Sequence, residues 1–426
     1  MINVEEYLKN FFRGTKKVSL NAIRYFVNKY ENFHDNMKFI HIAGTNGKGS
    51  CTEIIANILA KQGYKVGKFI SPHLIRYNER ISINGIEIKD EEISKLIEEL
   101  EPMIEEYNEQ NDINISYFDL LTIMALLYFY RKKVDFVVLE TGLGGLYDST
   151  NIITKPIASV ITSIGYDHMR ILGNTLQEIA YQKAGIIKEN SNTIFYEQLE
   201  EINKVFIEVC KEKNNNLHLI KEQEIKNYKY DNEYQYFDYR EYKNIAISLK
   251  GKKQIQNAAV CIETIRVLNN LGYNVTEKSI REGLKTIIHR ARMEILSKNP
   301  LIIYDGAHNE PAIENLQTMV NMYYSNLKRV YIVSILKRKD YEKMIQLLMQ
   351  DEKAEFIFTS GNEFKGYVPK EELYNVALKY KKNQKMCTKD LEEAIEEQLS
   401  KQNNNVVNFI VGSFYTYGTV INKIKS

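Results

Sequence analysis

Apolar runs rich in isoleucine, valine and phenylalanine alternate with longer amphipathic stretches along this chain of 426 residues. Such runs are typical of strands that are buried on both faces of a parallel sheet. The alternation therefore predicts an α/β fold with a mostly parallel sheet. The predicted strands are Phe39–Ala43, Val134–Leu139, Ala158–Ile164, Leu301–Tyr304, Val330–Ile335, Glu355–Thr359 and Val406–Val411. The predicted helices are Thr52–Gln62, Glu91–Tyr107, Phe118–Arg131, Leu176–Ile187 and Lys339–Gln350.

The pattern also predicts two domains. A new series of strands, loops and helices begins after Pro300, so we place the boundary at residue 296 and expect domains of residues 1–296 and 297–426. The second, with about 130 residues, is long enough to form an α/β domain of its own. The tyrosine-rich segment Tyr228–Tyr242 lies in a polar stretch and predicts an antiparallel edge or a small subdomain.

Composition excludes several classes of protein. Lys and Arg total 57 and Asp and Glu total 55, so the net charge of +2 gives no sign of a nucleic-acid-binding surface. The longest apolar run, Leu120–Tyr130, is shorter than the ~20 residues of a membrane span. The N-terminus has no apolar signal core, and the four cysteines are scattered, as in a reducing compartment. We expect a cytoplasmic protein with no nucleic-acid or membrane partner.

A glycine-rich segment, Gly44–Ser50 (GTNGKGS), follows the predicted strand Phe39–Ala43 and leads into a predicted helix. Glycines let backbone N–H groups approach a phosphate, the helix N-terminus adds a positive dipole, and Lys48 adds a full charge. The Ser50 hydroxyl is suited to Mg²⁺. The strict P-loop spacing is absent, so a tight structural turn is the alternative. The order of strand, loop, lysine and helix favours nucleotide binding.

Polar side chains follow two other predicted strands. Glu140 comes directly after Val134–Leu139, and His168 follows Ala158–Ile164 with Asp167 before it. The carboxyl ends of strands are where α/β sheets bind ligands. Glu140 suits Mg²⁺, which prefers oxygen ligands, although a helix-capping or surface carboxylate is the alternative. For His168 a structural role is the common case, and Asp167 either orients the ring or caps the turn.

Similar segments occur in the C-terminal part. Asp305–Asn309 (DGAHN) follows the first predicted strand there, and Ser413 follows the last. An acid and an imidazole at a strand end form another candidate ligand site. Arg292, close to the predicted boundary, is interpreted as an exposed charge at a hinge, and Lys183 as a solvated lysine on an amphipathic helix.

Together these segments resemble the folylpolyglutamate synthase and dihydrofolate synthase branch of the Mur ligase family. The matching segments follow the family's order from residue 43 to residue 415. Several are weak individually, but the ordered set is highly specific. They are Ala43–Ser50 (AGTNGKGS), Ser71–Leu74 (SPHL), Asn78–Ile81 (NERI), Glu140–Gly145 (ETGLGG), Asp148–Asn151 (DSTN), Ile161–Gly165 (ITSIG), Asp167 with His168, Lys183–Lys188 (KAGIIK), Asp305–Asn309 (DGAHN) and Gly412–Tyr415 (GSFY).

The resemblance implies an N-terminal ATPase domain and a smaller C-terminal Rossmann-like domain, with the active site between them, in a protein that acts as a monomer. It also implies a reaction. ATP phosphorylates a substrate carboxylate, the amine of L-glutamate attacks the acyl phosphate, and phosphate leaves. Phosphorylation is needed because a carboxylate is a poor electrophile, and Mg²⁺ with Lys48 would offset the charge of the transferred group.

The resemblance also implies roles for single residues. Asn46, Gly47, Lys48, Gly49 and Ser50 would hold the ATP phosphates, and Asn257, Arg292 and Asp305 would contact ATP. Ser71, Glu140 and His168 would bind Mg²⁺, and a carbamylated Lys183 would bind a second Mg²⁺. His308 and Ser413 would lie near the incoming glutamate, and Phe118 on the side of the pterin. Lys48, Lys183 and His308 would be the catalytic residues.

One departure from the family bears on the acceptor. Leu146 follows the double glycine, where the family usually has arginine. The phosphate and metal positions are intact, so the acceptor is left open between dihydropteroate, folates or both. A second hypothesis is the same chemistry on a non-folate carboxylate. A third is a phosphate-loop binding protein without ligase activity, in which Asp305–Asn309 and Ser413 would have no purpose.

Overall fold

The computed structural model describes residues 4–9, 11, 19–231, 233–361, 366–401, 403 and 405–425. The chain divides into two compact units. Unit 1 consists of Met1–Tyr230, Tyr234–Ser248 and Gln254–Ile287, and unit 2 of Asp231–Glu233, Leu249–Lys253 and Ile288–Ser426. Within the described ranges, no helix is both long and apolar enough to cross a lipid bilayer.

Unit 2 begins before the boundary that the sequence predicts at residue 296. The strand Glu294–Lys298 pairs antiparallel with Leu301–Asp305, so both strands belong to the sheet of unit 2. The first strand of this hairpin has no fully buried residue and carries Glu, Ser and Lys. Because Glu294–Lys298 is not an apolar run, only the second strand of the hairpin is recognisable from the sequence.

In the described residues, unit 1 contains a sheet of eight strands. They are β1 (Phe39–Ala43), β2 (Val66–Phe69), β3 (Ile81–Ile83), β4 (Ile86–Glu87), β5 (Phe136–Glu140), β6 (Ala158–Ile161), β7 (Asn192–Tyr196) and β8 (Asn216–Ile220). Their order is β4-β3-β2-β5-β1-β6-β7-β8, and all neighbours are parallel except β2–β3 and β3–β4. The predicted mostly parallel sheet is confirmed.

The helices of unit 1 contribute buried apolar residues to its core. They are α1 (Val4–Lys9), α2 (Asn21–Lys29), α3 (Lys48–Lys61), α4 (Asp90–Gln110), α5 (Tyr117–Arg131), α6 (Met169–Leu172), α7 (Leu176–Ala184), α8 (Glu200–Glu212), α9 (Lys252–Asn270) and α10 (Glu277–Lys285). Every residue of β1 and β5 is buried, as the continuous apolar runs predict.

A smaller antiparallel sheet in unit 1 accounts for the tyrosine-rich segment. Its strands in the described residues are β9 (Ile225–Tyr230), β10 (Gln235–Tyr239) and β11 (Tyr242–Ile247), with β10 in the middle. Tyr239 is fully buried and its hydroxyl donates to Glu263 of α9 at 2.9 Å. The predicted antiparallel element is confirmed, and its tyrosines pack on strand faces.

Unit 2 is a second α/β layer structure. Its strands in the described residues are β12 (Glu294–Lys298), β13 (Leu301–Asp305), β14 (Lys328–Val333), β15 (Ala354–Phe358), β16 (Lys385–Thr388) and β17 (Val406–Val411). Their order is β12-β13-β17-β14-β15-β16, parallel except for β12–β13. The helices are α11 (Glu310–Tyr324), α12 (Tyr341–Leu348), α13 (Lys370–Leu378), α14 (Leu391–Ser400) and α15 (Tyr417–Lys425). The predicted smaller α/β domain is confirmed.

The topology places the sequence motifs at two sheet edges. In unit 1, β5, β1 and β6 are neighbours, so Glu140, the loop Gly44–Gly47 and the segment after Ile161 leave the sheet at one edge. In unit 2, β13 and β17 are neighbours, so Asp305 and Ser413 lie at the ends of adjacent strands. Parallel pairing thus brings distant segments of the chain together.

Candidate active site

The glycine-rich loop Gly44–Ser50 has a backbone conformation and packing that leave no room for a side chain at two of its glycines. Gly47 has φ of +93°, and a Cβ there would lie 2.8 Å from Oδ1 of Asn257. A Cβ on Gly44 would lie 1.8 Å from Oγ1 of Thr162. The backbone N–H of Thr45 donates to Ser163 O at 2.7 Å, which ties the loop to the segment after β6. Glycine is therefore required for close packing at both positions.

Helix α3 begins at Lys48, not at Thr52 as the sequence pattern predicts. Its first turn is polar and glycine-containing, so apolar periodicity does not reveal it. Lys48, Gly49 and Ser50 thus occupy the turn whose backbone N–H groups have no partner within the helix. This arrangement provides N–H donors, the positive end of the helix dipole and an ammonium group at one place.

Two lysines converge on the same carbonyl of this loop. The Nζ atom of Lys48 donates to Gly44 O at 3.0 Å and to Thr45 O at 3.4 Å, and the Nζ atom of Lys183 donates to Gly44 O at 2.8 Å. Burial, together with the charge of Lys48, lowers the pKa of Lys183 to about 7, although the charges of Asp167 and Asp148 oppose the shift. Lys183 is therefore partly neutral near pH 7.

Lys183 is 3% exposed, which corrects the expectation of a solvated lysine. It lies in the last turn of α7, and a second loop, which follows β5 and contains Gly145, covers that turn. A Cβ on Gly145 would lie 2.9 Å from the carbonyl oxygens of Gln182 and Lys183, and the N–H of Leu146 donates to Gln182 O at 2.7 Å. This close backbone contact removes water from the lysine stem, and a helical pattern alone cannot reveal it.

Glu140 and Ser71 meet at the ends of neighbouring strands. The backbone N–H of Ser71, after β2, lies 3.4 Å from Oε2 of Glu140, which is 4% exposed. Thr141 follows Glu140 in the chain, and its buried hydroxyl has no hydrogen-bond partner among the described residues. Carboxylate and hydroxyl oxygens are the donors that Mg²⁺ prefers.

His168 is held by Asp167 after β6. Oδ1 of Asp167 accepts the backbone N–H of His168 at 2.9 Å and lies 3.8 Å from Nε2 of the ring. His168 has φ of +52° and its side chain is 38% exposed. Across the part of the chain that the structure describes, no three side chains of His, Cys, Asp or Glu gather into a metal-binding group. A cation at this edge would therefore also use hydroxyl or phosphate oxygens and water.

Helix α9 adds a residue that the sequence analysis did not single out. Nε2 of Gln254 donates to the Ser50 hydroxyl at 3.2 Å, and Nδ2 of Asn257 donates to Oε1 of Gln254 at 3.1 Å. Asn257 was singled out and does lie against Gly47. Gln254 and Ser50 are 204 residues apart, so no local pattern links them.

Phe118 packs on the loop that follows β5. A Cβ on Gly142 would lie 2.5 Å from Cζ of Phe118, and the rings of Phe118 and Phe69 are 5.8 Å apart. Next to Phe118, the ring of Tyr117 lies 5.3 Å from the guanidinium of Arg80, which is 6% exposed. The loop, the helix α5 and the segment that contains Arg80 therefore form an aromatic surface with one buried cation.

In unit 2, Asp305 is a buried carboxylate that orders the backbone around it. It accepts the N–H groups of Met293 and Ala307, each at 2.9 Å. Burial raises the pKa of the Asp305 carboxyl, and the charge of Arg292 and these two N–H groups oppose that rise. The Arg292 guanidinium lies 4.7 Å from the centre of the Phe414 ring. Arg292 is thus a packed residue, and its interpretation as an exposed hinge charge is corrected.

His308 and Ser413 lie on the two loops that Phe414 joins. The ring centres of Phe414 and His308 are 5.1 Å apart. A Cβ on Gly306 would lie 2.2 Å from Cε1 of Phe414. Nδ1 of His308 lies 2.8 Å from Gly306 O, and because a carbonyl only accepts, Nδ1 carries the proton and Nε2 is the basic nitrogen of the neutral ring. The Ser413 hydroxyl lies 3.1 Å from the hydroxyl of Tyr367, a residue that the sequence analysis missed.

Comparison with family models gives two matches. Residues 42–265 match the Mur ligase middle domain, and residues 289–423 match the C-terminal domain of dihydrofolate synthetase. The first match contains the glycine-rich loop, Glu140, Lys183 and Asn257, and the second contains Asp305, His308 and Ser413. Both sets of polar residues therefore fall inside recognised domains.

Relatives and solved structures agree with these matches. The dihydrofolate synthase/folylpolyglutamate synthase of Bacillus subtilis (strain 168) is 35% identical over 402 residues, 91% of each chain. The crystal structure of folylpolyglutamate synthase from Thermotoga maritima has a TM-score of 0.84 at 31% identity, covering 99% of this chain and 96% of that one. E. coli FolC in complex with DHPP and ADP has a TM-score of 0.85 at 27% identity, with 99% and 96% covered. The chain therefore belongs to the folylpolyglutamate synthase and dihydrofolate synthase family of Mur ligases.

Proposed function

We propose that this protein uses ATP to join L-glutamate to the carboxylate of a folate, of dihydropteroate, or of both. Membership of the family makes it an ATP-dependent ligase. The observation that best supports the phosphoryl-transfer step is the convergence of Lys48 and Lys183 on the carbonyl of Gly44, beside the N-terminus of α3. The ammonium group of Lys48 at a helix N-terminus suits a highly charged phosphate group, and Lys183 would place a metal-binding carbamate beside it.

The reaction has two steps. An oxygen of the acceptor carboxylate attacks the γ-phosphorus of ATP, the bond to the β-phosphate oxygen breaks, and ADP leaves. The α-amine of glutamate then attacks the acyl carbon, loses a proton, and inorganic phosphate leaves from the tetrahedral intermediate. Positioning and charge stabilisation supply most of the catalysis in phosphoryl transfer.

The ATP site would be formed by the residues that bear phosphate-binding donors. We assign the backbone and side chains of Asn46–Ser50 to the phosphates, and Asn257, Arg292 and Asp305 to further contacts with the nucleotide. Asn257 lies against Gly47, which supports the first part of this assignment. E. coli FolC and the Mycobacterium tuberculosis folylpolyglutamate synthase have been solved with ADP.

Mg²⁺ fits the donors around β5. We propose that Ser71, Glu140 and His168 hold one Mg²⁺ and that a carbamylated Lys183 holds a second. The side-chain oxygens of Glu140 and Ser71 suit a hard cation, and so does the buried hydroxyl of Thr141, which has no hydrogen-bond partner among the described residues. Bound Mg²⁺ would offset the charge that develops on the transferred phosphoryl group.

Lys183 has the properties that carbamylation requires. The neutral amine attacks the carbon of CO₂ and loses a proton, so an ammonium group becomes a carboxylate-like anion. Burial lowers the pKa of Lys183 to about 7, so a substantial fraction is neutral near pH 7. The change replaces a like charge beside Lys48 with an opposite one.

The glutamate and acceptor residues are proposed from unit 2 and from the aromatic surface of unit 1. We assign His308 and Ser413 to the incoming glutamate, with Nε2 of His308 able to accept a proton. We assign Phe118 to the pterin side of the acceptor, and E. coli FolC has been solved in complex with DHPP and ADP. Leu146, where the family usually has arginine, keeps a non-folate carboxylate acceptor as the alternative. We expect the protein to act as a monomer on these small molecules.

Mass spectrometry of reaction products tests the function directly. The protein is incubated with ATP, Mg²⁺ and L-glutamate, and with dihydropteroate or tetrahydrofolate in parallel. We expect a glutamyl adduct on at least one acceptor, and adducts on both mean a bifunctional enzyme. Absence of both adducts, from protein that binds ATP, contradicts the proposed acceptors. Restoration of an adduct by Leu146→Arg would then trace the loss to that position.

Replacing Gln254 with alanine should raise the KM for ATP by about five-fold. The change removes hydrogen bonds to Ser50 and Asn257, at 3.2 and 3.1 Å, and a neutral hydrogen bond contributes about 1 kcal/mol. Steady-state kinetics with each substrate varied in turn is the measurement, and an unchanged KM for glutamate is the internal control. An unchanged KM for ATP would separate Gln254 from the phosphate site.

A further inference from the structure

A histidine at the centre of the unit 1 sheet has no part in the proposed function. His41 is the middle residue of β1, and its side chain is fully buried. Its Nε2 atom lies 2.8 Å from Oγ1 of Thr150, whereas Nδ1 is buried and has no hydrogen-bond partner among the described residues. Because a buried polar group is costly without a hydrogen bond, the contact with Thr150 is what favours an imidazole at this position.

The direction of this hydrogen bond follows from a second contact of Thr150. The Thr150 hydroxyl donates its single hydrogen to Oδ1 of Asp148 at 2.5 Å, so its oxygen can only accept from His41. Nε2 of His41 therefore carries the proton. Burial, together with the charge of Lys188, lowers the pKa of His41 to about 3, so the ring is neutral at physiological pH.

Asp148 ends this series of hydrogen bonds, which we call the His41 chain (His41, Thr150 and Asp148). The Asp148 carboxylate is 6% exposed, and it accepts the backbone N–H of Leu143 at 2.7 Å and that of Thr150 at 3.1 Å. Burial raises the pKa of this carboxyl, and its hydrogen bonds oppose the rise. Hydrogen bonds in series polarise one another, so a donor at His41 strengthens the contact at Asp148.

The loop that the His41 chain holds connects two parts of the proposed site. It begins after Glu140, the last residue of β5. Further along, the N–H of Leu146 donates to the carbonyl of Gln182, the residue before Lys183, at 2.7 Å. Leu143, whose N–H the carboxylate accepts, lies between these two points. The His41 chain therefore ties the middle of β1 to the loop that joins the proposed metal ligands.

We propose that His41 is a positioning residue of the ligation reaction, which acts through Thr150 and Asp148. This inference rests on the proposed function. The His41 chain would hold the loop after β5 in the shape that keeps Glu140 and Lys183 in place for phosphoryl transfer. The backbone of β1 pairs with β5 and β6 on its two sides, so the course of the strand does not depend on the imidazole. The imidazole therefore serves the loop and not the strand.

The test compares His41→Gln with His41→Asn in steady-state kinetics. The amide nitrogen of glutamine is as many bonds from Cα as Nε2 of histidine, whereas that of asparagine corresponds to Nδ1 and cannot reach Thr150. Both variants bury one amide, so each is the control for the other. We expect kcat to fall about ten-fold in His41→Asn and to stay within a few-fold of the unmodified protein in His41→Gln. The KM values for ATP and glutamate should not change in either variant.

A double-mutant cycle with Thr150→Val tests whether the two residues act through one chain. Valine keeps the shape of threonine and removes the hydroxyl, so Thr150→Val alone already interrupts the His41 chain. We expect kcat of the double variant with His41→Asn to be no lower than that of Thr150→Val, because coupled residues do not have additive effects. Independent structural roles would instead multiply the two losses. Thr150→Val also provides the measurement if His41→Asn does not fold.

Four results would overturn the inference. They are an unchanged kcat in His41→Asn, an equal loss in His41→Gln, multiplied losses in the double variant, and a rise in the KM for ATP at unchanged kcat. The last result would mean that His41 acts on the glycine-rich loop that follows β1. An unmodified protein that forms no glutamyl product contradicts both the proposed function and this inference. A normal product with an unaffected His41→Asn contradicts only the inference.

Discussion

Replacing Lys48 with alanine should reduce ATP-dependent glutamyl transfer by on the order of 10²- to 10³-fold while the protein remains folded. Among the described residues, the Nζ atom of Lys48 donates to two loop carbonyls, those of Gly44 and Thr45, at 3.0 and 3.4 Å. These neutral partners cannot offset its charge as phosphate would. Bound ATP would draw the ammonium onto the phosphates, so the stabilisation is gained with the substrate and in the transition state.

The loss of activity in Lys48→Ala should also have an indirect cause. The charge of Lys48 is one of the causes that lower the pKa of Lys183, so its removal should raise the pKa of Lys183. A smaller neutral fraction of Lys183 at pH 7 means less carbamate. Part of the Lys48→Ala defect should therefore diminish between pH 7 and pH 9, whereas the loss of the direct phosphate contact should not.

The measurement is the rate of ADP and glutamyl-product formation at saturating substrates. Lys61→Ala is the matched control, since Lys61 is an exposed lysine in the last turn of the same helix α3. Lys48→Arg keeps the charge and should retain more activity than Lys48→Ala. Turnover in Lys48→Ala within a few-fold of the unmodified protein would contradict the phosphate-binding interpretation of the loop.

Strands buried on both faces were predictable because their apolar runs are continuous. β1 and β17 have the bounds that the sequence predicts, and β5 and β14 differ by one or two residues. β2 was missed because it reads VGKF, with a glycine and a lysine in four residues. The lysine, Lys68, forms an ion pair of 2.6 Å with Glu53 of α3. The segment is therefore a strand because of its tertiary contacts, which the local pattern does not reveal.

Candidate site residues were predictable from the sequence where they lie at a strand end, and not where they depend on a distant partner. Glu140 and Asp305 are the last residues of the apolar strands β5 and β13, so their positions carry a local signal. The role of Lys183 came only from the family resemblance, because its burial depends on the loop at Gly145. Gln254 lies within hydrogen-bond distance of the Ser50 hydroxyl, and Tyr367 within that of Ser413. Both pairs are far apart in the sequence, so no local pattern predicts them.

Replacing Lys183 with alanine should abolish most ligation, and short carboxylates such as formate or acetate should restore part of it. The side chain is buried beside the glycine-rich loop at Gly44, so alanine leaves a space into which a small anion can enter. If the native group is a carbamate, the added carboxylate replaces its two oxygens at the cation. An ammonium group acting only as a charge would not be replaced by an anion.

Lys188→Ala is the matched control for this rescue. Lys188 lies in the same segment, and burial lowers its pKa to about 8, as burial lowers that of Lys183. Lys188 has no contact with the loop carbonyl of Gly44 among the hydrogen bonds of the described residues. Formate should not stimulate Lys188→Ala. Equal stimulation of both variants would indicate a nonspecific effect of the anion.

The dependence on pH separates a carbamate from a protonated lysine. With a pKa of about 7 for Lys183, the neutral fraction rises from about 10% at pH 6 to about 90% at pH 8. Removal of CO₂ should therefore lower the activity of the unmodified protein, and added bicarbonate should restore it more fully at pH 8 than at pH 6. A mass increase of the intact protein by one CO₂, absent in Lys183→Ala, would identify the modified residue.

Replacing Lys183 should raise the stability of the folded protein although it lowers the activity. The pKa of Lys183 is lowered on folding, so burial of the charged form destabilises the native state below pH 7, and this penalty declines as pH rises from about 7 towards the unfolded value of 10.5. Lys183→Met, which keeps the buried volume, should therefore unfold at a higher Tm than the unmodified protein at pH 6, with a smaller difference at pH 9. A variant that is inactive yet more stable at pH 6 has lost a functional group and not its fold, whereas a lower Tm at both pH values would show that Lys183 is needed for packing.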